Sequence, residues 1–226
     1  MNDLDILFED ETLLVLNKPI GIHSVDINNV KSDSIASLVR SQNLGCDNPD
    51  AGLCHRLDKE TSGALVVAKN QEAYLKIREL FSENKVTKEY HALVEGNFSK
   101  QKQITSFLYG RYKRSKKVSV AQDIDLAPKH AKKCELKVIK ATYSKENDLT
   151  DLSLSLITGF RHQIRAQLAY LSHPLVGDTL YGSEKKLADC KKSFIKKMEG
   201  RKFYLHACRI AFCHPKSGER INIKAK

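Results

Sequence analysis

The sequence predicts an α+β fold: a mixed, mostly antiparallel sheet with flanking helices and loops. Apolar stretches with strand character outnumber those with helical periodicity. Many of these stretches are joined by short polar turns, which favours antiparallel pairing. The chain of 226 residues shows no internal repeat and no low-complexity linker. We therefore expect a single domain over residues 1–226.

The N-terminal part alternates short strands with one short helix. Residues 6–8 and 13–16 are apolar and separated by a polar turn, and Pro19 ends the second strand. Residues 32–43 have apolar side chains on one side of a helix. Residues 64–68 are wholly apolar, which predicts a buried strand.

The clearest helix begins after Asn70, in the stretch "NQEAYLKIRELFSENK". Asn70 is a good N-cap, and Glu72 complements the positive end of the helix dipole. The apolar residues recur at helical spacing and define one face: Ala73, Ile77, Leu80 and Phe81.

The C-terminal half is predicted to be mostly strand. Residues 90–97 form one strand, and residues 134–143 and 150–158 alternate with a period of two around the polar turn "SKEND". A helix in "RHQIRAQLAYLSHP" ends before Pro174, with Ile164, Leu168 and Leu171 on one face. The last predicted strands are residues 203–214 and 220–225.

The charge of the chain predicts a polyanionic partner. Thirty-eight Lys and Arg residues against 27 Asp and Glu residues give a net charge of +11. Such a balance favours nucleic acid or an anionic membrane surface. No apolar run is long enough to cross a bilayer, and the acidic N-terminus resembles neither a signal peptide nor an Arg-rich transit peptide. We therefore expect a cytoplasmic protein that does not act at a membrane.

The six cysteines predict reduced thiols rather than a metal site. They are scattered and contain no CxxC pair. The densest cluster, "LHACRIAFCHP", places His206 and Cys208 on one face of a strand and Cys213 on the other. Since this alternation is unsuited to a four-ligand cage, we expect no metal.

Asp58 is the most informative acidic residue, because it lies between basic residues in "LCHRLDKETSGALVVAKN". Basic partners would keep its carboxylate ionised, and an ionised carboxylate is a nucleophile or a base. The alternative is structural, because an aspartate before a turn is commonly a cap. Composition alone favours this structural interpretation.

Several further stretches favour the catalytic interpretation of Asp58 over the structural one. They occur in the following order: "ILFEDETLLVLNKPIGIHS", "CHRLDKETSGALVVAKN", "VTKEYHALVEG", "TGFRHQIRAQLAYLSHPLVGDTLYG" and "LHACRIAFCHP". Together they resemble the RluA-type RNA pseudouridine synthases, over about residues 6–215. The resemblance implies the catalytic fold of that family with a central active-site cleft. The pattern begins at Ile6, so we expect no N-terminal S4-type RNA-binding domain of the kind that many larger members carry.

The resemblance also implies a reaction and its catalytic residues. The family cleaves the bond from N1 of uracil to the sugar, rotates the base and rebuilds the link through carbon five, without a cofactor. By resemblance Asp58 is the catalytic aspartate; attack on the base, attack on the sugar and removal of a sugar proton all remain open. Tyr90 matches the active-site tyrosine, and Arg165 the arginine that pairs with the aspartate. The alternatives are a core tyrosine and a surface arginine.

A larger set of residues is expected to bind RNA. Arg56 could stack in the space that a flipped uridine vacates, or contact a phosphate. His55 could contact RNA or orient its loop. Residues 99–133 are polar and Lys-rich, which predicts a projecting hairpin or loop that contacts RNA, and the basic segment 185–202 could do the same. The other candidates are Lys88, Arg161, His162, Arg111, Lys113, Arg114, Lys116 and Lys117.

Phe160 departs from the family pattern, which often has an arginine at its position in "TGFRHQIR". This change could alter a phosphate contact or a pocket wall. The expected partner is a stem-loop of ribosomal or transfer RNA, and the expected oligomeric state is a monomer. Two alternatives are a non-catalytic RNA-binding or assembly protein on the same fold, and a hydrolase using Asp58 with His55 or His162. No serine or cysteine nucleophile motif supports the hydrolase.

Overall fold

The described residues form ten strands and three α-helices in a computed structural model. They are residues 4–26, 34–99, 101–110, 112, 115–185 and 200–225. In chain order the elements are β1 (Ile6–Glu9), β2 (Leu13–Lys18), α1 (Ile35–Ser41), β3 (Ser62–Ala68), α2 (Gln71–Ser82), β4 (Thr87–Glu95), β5 (Gln103–Tyr109), β6 (Ser119–Ala121), β7 (Lys132–Ser144), β8 (Leu149–Leu156), α3 (Gln163–Tyr170), β9 (Leu205–Cys213) and β10 (Arg220–Lys224).

The chain divides into two compact units, residues 1–88 with 206–226 and residues 89–205. In the first unit the strands neighbour one another in the order β1-β2-β3-β9-β10. All pairs are antiparallel except β3 with β9, which are parallel at Ser62 and His206. Gly63 makes this pairing possible: its φ is +113°, and an added Cβ would lie 2.2 Å from the carbonyl oxygen of Ala207.

The core of the first unit forms between β3 and α2. All seven residues of β3 are buried, as expected for an apolar run. The side chain of Asn70 accepts a hydrogen bond from the amide of Ala73, which confirms the predicted N-cap. Ala73 and Ile77 are buried in the cluster that contains Val66, and Leu80 and Phe81 pack against it.

The second unit is antiparallel throughout, with the strand order β4-β8-β7-β5-β6. The register of β7 on β8 shifts between Val138 and Lys140. Residues 99–133 contain β5, β6 and a 3₁₀ turn at Ile124–Leu126. The first six residues of α3, Gln163 to Leu168, are all buried, so this helix is enclosed and not amphipathic.

The two units together confirm the predicted α+β class and the mixed, mostly antiparallel sheet. The single domain over 1–226 and the RNA-contacting role of 99–133 stay predictions. Within the part of the chain that the structure describes, no helix has the length and hydrophobicity needed to cross a membrane.

Candidate active site

The loop that carries Asp58 lies in the first unit, directly before β3. The hydroxyl of Ser24 donates to the carbonyl oxygen of Leu57 at 2.8 Å and accepts from the amide of Leu57 at 3.0 Å. On the other side of Asp58, the amide of Gly21 donates to the carbonyl oxygen of Lys59 at 2.9 Å. The neighbours of Asp58 on both sides are therefore bonded to the segment after β2, which fixes the backbone that presents the carboxylate.

Lys18, the last residue of β2, also forms hydrogen bonds to the loop that carries Asp58. Its Nζ atom donates to the carbonyl oxygens of Pro19 at 2.8 Å, Thr61 at 2.9 Å and Lys59 at 3.2 Å. The side chain is completely buried. An ammonium group has three donors, so three carbonyl oxygens satisfy it without a direct ion pair.

Burial lowers the pKa of Lys18 to about 8, although the nearby carboxylates of Asp58 and Glu60 act to raise it. A positive charge therefore lies near Asp58 at neutral pH. Sequence reasoning missed Lys18. Its place in "NKPIG" was the only available signal. That signal did not indicate burial, because a lysine at the end of a strand is normally exposed.

His55 is part of the first unit's packing. Its Nε2 atom accepts from the amide of Val66 at 3.1 Å, and its ring lies 4.7 Å from that of Phe81. Burial, with the positive charges of Lys88 and Arg78, lowers the pKa of His55 to about 3. The imidazole is therefore neutral and bonded to the backbone of β3, and both roles expected for His55, RNA contact and orientation of its loop, stay predictions.

Arg56 and Lys88 have opposite environments. Arg56 is exposed beside Asp58, as a residue that contacts RNA must be. Lys88 is buried, its Nζ atom lies 5.8 Å from the centre of the Phe81 ring, and burial lowers its pKa to about 8. His55 and Lys88 therefore both contact the ring of Phe81. RNA contact by Lys88 stays a prediction, and the burial of its side chain does not favour it.

Tyr90 and Arg165 belong to the second unit. Tyr90 lies in β4 opposite Leu154 of β8 and is 7% exposed. Arg165, in α3, is 6% exposed, so the alternative of a surface arginine is wrong. Its Nε and Nη2 atoms donate to the two carboxylate oxygens of Asp178 at 2.6 and 2.9 Å. The sequence analysis did not foresee this pair.

Two aromatic rings also lie next to the guanidinium group of Arg165. Its guanidinium carbon lies 5.1 Å from the ring centre of Tyr181 and 4.6 Å from that of Phe203. His162 reaches the same tyrosine: its Nδ1 atom lies 3.0 Å from the Tyr181 hydroxyl, which accepts from the amide of Val118 at 2.9 Å. Two predicted site residues, His162 and Arg165, thus converge on Tyr181.

The basic loop is described only in part. Lys116 and Lys117 are exposed, and the exposed Arg161 donates from Nη2 to the carbonyl oxygen of Ser115 at 2.6 Å, so these three lie in one region. The other predicted residues of the loop, Arg111, Lys113 and Arg114, lie outside the described residues, as does most of the basic segment 185–202.

Phe160 has a structural explanation. Its ring packs against a buried cluster formed by Leu108, Val118, Cys134 and Ala166. Its amide donates to the Gln163 side chain at 3.1 Å, next to the start of α3. The aromatic side chain therefore contributes to packing, and Arg161 is the exposed positive charge of this motif.

Comparison with known proteins identifies the family of this chain. The family model described as RNA pseudouridylate synthase matches residues 12–170. The chain belongs to the RNA pseudouridylate synthase family. This match and the relatives confirm the predicted RluA-type family.

Individual relatives agree with the family. An uncharacterized RNA pseudouridine synthase of Helicobacter pylori is 30% identical over 98% of this chain and 66% of its own length. The ribosomal large subunit pseudouridine synthase D of Neisseria meningitidis is 33% identical over 98% of this chain and 58% of its own length. The solved human RNA pseudouridylate synthase domain containing 1 is 26% identical with a TM-score of 0.68, over 99% of this chain and 83% of that one. The chain thus spans about two thirds or less of these two bacterial relatives.

Proposed function

We propose that the protein is an RNA pseudouridine synthase that isomerises specific uridines in ribosomal or transfer RNA. The observation that carries this proposal is family membership across residues 12–170. We propose Asp58, Tyr90 and Arg165 as the catalytic residues, because they lie at the positions that the resemblance implies are catalytic. Relatives named as ribosomal large subunit synthases favour ribosomal RNA as one substrate class. The proposed site of action is the cytoplasm, and the proposed oligomeric state is a monomer.

The proposed chemistry begins with the carboxylate of Asp58. Its loop is bonded on both sides and lies near the buried positive charge of Lys18, which supports an oriented, ionised group. The carboxylate acts as nucleophile or base while the bond from N1 to the sugar breaks. The base rotates and carbon five bonds to the sugar, while Asp58 breaks any bond it has formed to the substrate or returns any proton it has taken. Tyr90 accepts the proton that carbon five releases, and N1 takes up one proton in its place. Atoms balance without an oxidant or a cofactor, because the product is an isomer of the substrate.

Base flipping is proposed to precede this chemistry. A uridine in a stem or stacked loop must leave its stack, at a cost of roughly a few kcal/mol. Arg56 lies two residues before Asp58 and is exposed. Its guanidinium group is proposed to occupy the vacated space. Arg165 is proposed to pair with the aspartate and hold its orientation.

RNA is proposed to be bound mainly through phosphate contacts. The exposed side chains of Lys116, Lys117 and Arg161 form one basic region of the second unit. RNA binding by Arg111, Lys113 and Arg114 is proposed from the sequence alone. A non-catalytic RNA-binding protein would need the same basic region but no ionised Asp58, which provides the discriminating test.

Gene deletion followed by pseudouridine mapping tests the proposal. We expect specific uridines of ribosomal or transfer RNA to lose the modification. A plasmid copy of the wild-type gene should restore it, whereas Asp58→Asn should not. Asp47→Asn, the same substitution at an exposed aspartate of the first unit, is the matched control and should restore it fully. An unchanged map after deletion, or restoration by Asp58→Asn, would contradict the proposed activity.

A further inference from the structure

Asp178 binds one whole edge of the guanidinium group of Arg165. It binds the Nε–Nη2 edge with both carboxylate oxygens, at 2.6 and 2.9 Å. The rings of Tyr181 and Phe203 pack against the same planar group. Both partners of the ion pair are buried, at 6% and 2% exposure. A planar cation bound along one edge and packed against two rings has a single orientation.

Asp178 is itself fixed by its own loop. Its amide donates to the carbonyl oxygen of Leu175 at 2.9 Å, and its carbonyl oxygen accepts from the amide of Tyr181 at 2.9 Å. The Tyr181 hydroxyl in turn accepts from the amide of Val118. The carboxylate therefore belongs to a loop whose backbone is itself hydrogen-bonded, which fixes its position.

Stability does not explain why such a pair is buried. Removing a carboxylate and a guanidinium from water is costly, and apolar residues of similar volume would stabilise a core as well or better. The pair supplies a defined direction for the Arg165 side chain. With the Nε–Nη2 edge bound by Asp178, the Nη1 end of the guanidinium points away from it, and a guanidinium can serve two carboxylates through its two ends.

We propose that Asp178 is a positioning residue for pseudouridine formation, which holds Arg165 in the orientation that the reaction uses. This inference rests on the proposed function, in which Arg165 pairs with the catalytic aspartate. Asp178 has no contact with the substrate in this account. It acts only through Arg165.

Two substitutions of Asp178 test this role in the full-length protein. Asp178→Asn keeps the shape but loses the charge and one acceptor, and Asp178→Glu keeps the charge but displaces the carboxylate by one methylene. The probe is bulk ribosomal and transfer RNA labelled with [5-³H]uridine, from cells that lack the gene. We measure tritium release in a single turnover and the affinity for the same RNA. All proteins are assayed well below their unfolding midpoints.

We expect both variants to slow tritium release at saturating RNA by about tenfold or more, with RNA affinity within about twofold of wild type. Asp148→Asn is the matched control, because its exposed carboxylate pairs with Lys185 at 3.0 Å in the same unit. It should have no effect. A normal rate in both Asp178 variants would overturn the inference; if Asp178→Asn does not fold, Asp178→Glu decides alone.

A double-mutant cycle separates this inference from the proposed function. Arg165→Lys should slow the reaction, and adding Asp178→Asn to it should have little further effect, because the group that Asp178 positions is already gone. Full additivity of the two substitutions would overturn the positioning role. If Arg165→Lys alone reacts normally, the proposed function has misassigned Arg165. A slow Arg165→Lys with normal rates in both Asp178 variants would contradict only the present inference.

Discussion

Replacing Lys18 with methionine tests whether a buried ammonium group ties down the Asp58 loop. Methionine fills most of the volume of the lysine stem but donates no hydrogen bond. The carbonyl oxygens of Pro19 and Thr61 then lose their bonds from Lys18, whereas that of Lys59 keeps the amide of Gly21 as donor. The bond to Thr61 is buried, and leaving that carbonyl unpaired costs about 1–3 kcal/mol, whereas Pro19 is exposed and its carbonyl can bond to water instead.

Removal of the buried charge opposes that loss. The pKa of Lys18 falls from 10.5 to about 8 on folding. At pH 7 this shift corresponds to about 3 kcal/mol that the charged side chain costs the folded state. The two effects partly offset each other, and we expect the free energy of unfolding to change by less than about 3 kcal/mol at pH 7.

The pH dependence gives the sharper test. Between pH 8 and 10.5 the unfolded lysine binds a proton that the folded lysine has released, so wild-type stability rises with pH relative to the variant. The difference in unfolding free energy should grow in favour of wild type by about 3 kcal/mol across this window. Urea unfolding followed by circular dichroism measures it.

The control for this experiment is Lys76→Met, at an exposed lysine of α2 that pairs with Glu72. It should change stability by less than about 0.5 kcal/mol at each pH. A difference between wild type and Lys18→Met that does not vary with pH would refute the burial of a titrating ammonium group at Lys18.

Three further predictions concern the loop and the basic surface. Ser24→Ala should lower the unfolding free energy by about 1–3 kcal/mol, since Leu57 loses both its donor and its acceptor; exposed Ser41→Ala is the control, and equal urea midpoints would count against the loop contacts. His55 should stay neutral down to about pH 4 in an NMR titration, because burial lowers its pKa to about 3, and its contribution to stability is lost as the pH falls below 6.5; titration near 6.5 would show that the ring is not buried. Lys116→Ala with Lys117→Ala should reduce the salt dependence of RNA affinity by roughly two counterions, whereas the exposed pair Lys76→Ala with Lys85→Ala should not; an unchanged slope would remove the two lysines from the RNA-binding surface.

Local signals predicted much of the first unit. The N-cap at Asn70 and the apolar spacing of α2 depend on neighbouring residues along the chain, and the structure confirms both. The buried strand β3 follows in the same way from an unbroken apolar run. The resemblance added the positions of Asp58, Tyr90 and Arg165, which no periodicity indicates.

Other features depend on residues that are distant in sequence. Lys18 is buried because three carbonyl oxygens, two of them about forty residues away, surround its ammonium group. The ion pair of Arg165 with Asp178 depends on the loop after α3, which brings Asp178 back to the helix. In β7 the register shift near Ile139 ends the simple alternation, and that side chain is 55% exposed.

The most direct test of the central claim is tritium release from [5-³H]uridine-labelled RNA by the purified protein. The substrate is the ribosomal and transfer RNA of cells that lack the gene. We predict that wild type releases one tritium for each pseudouridine formed, and that Asp58→Asn releases none while binding the RNA within about twofold of wild type. Release by Asp58→Asn at the wild-type rate would contradict the account.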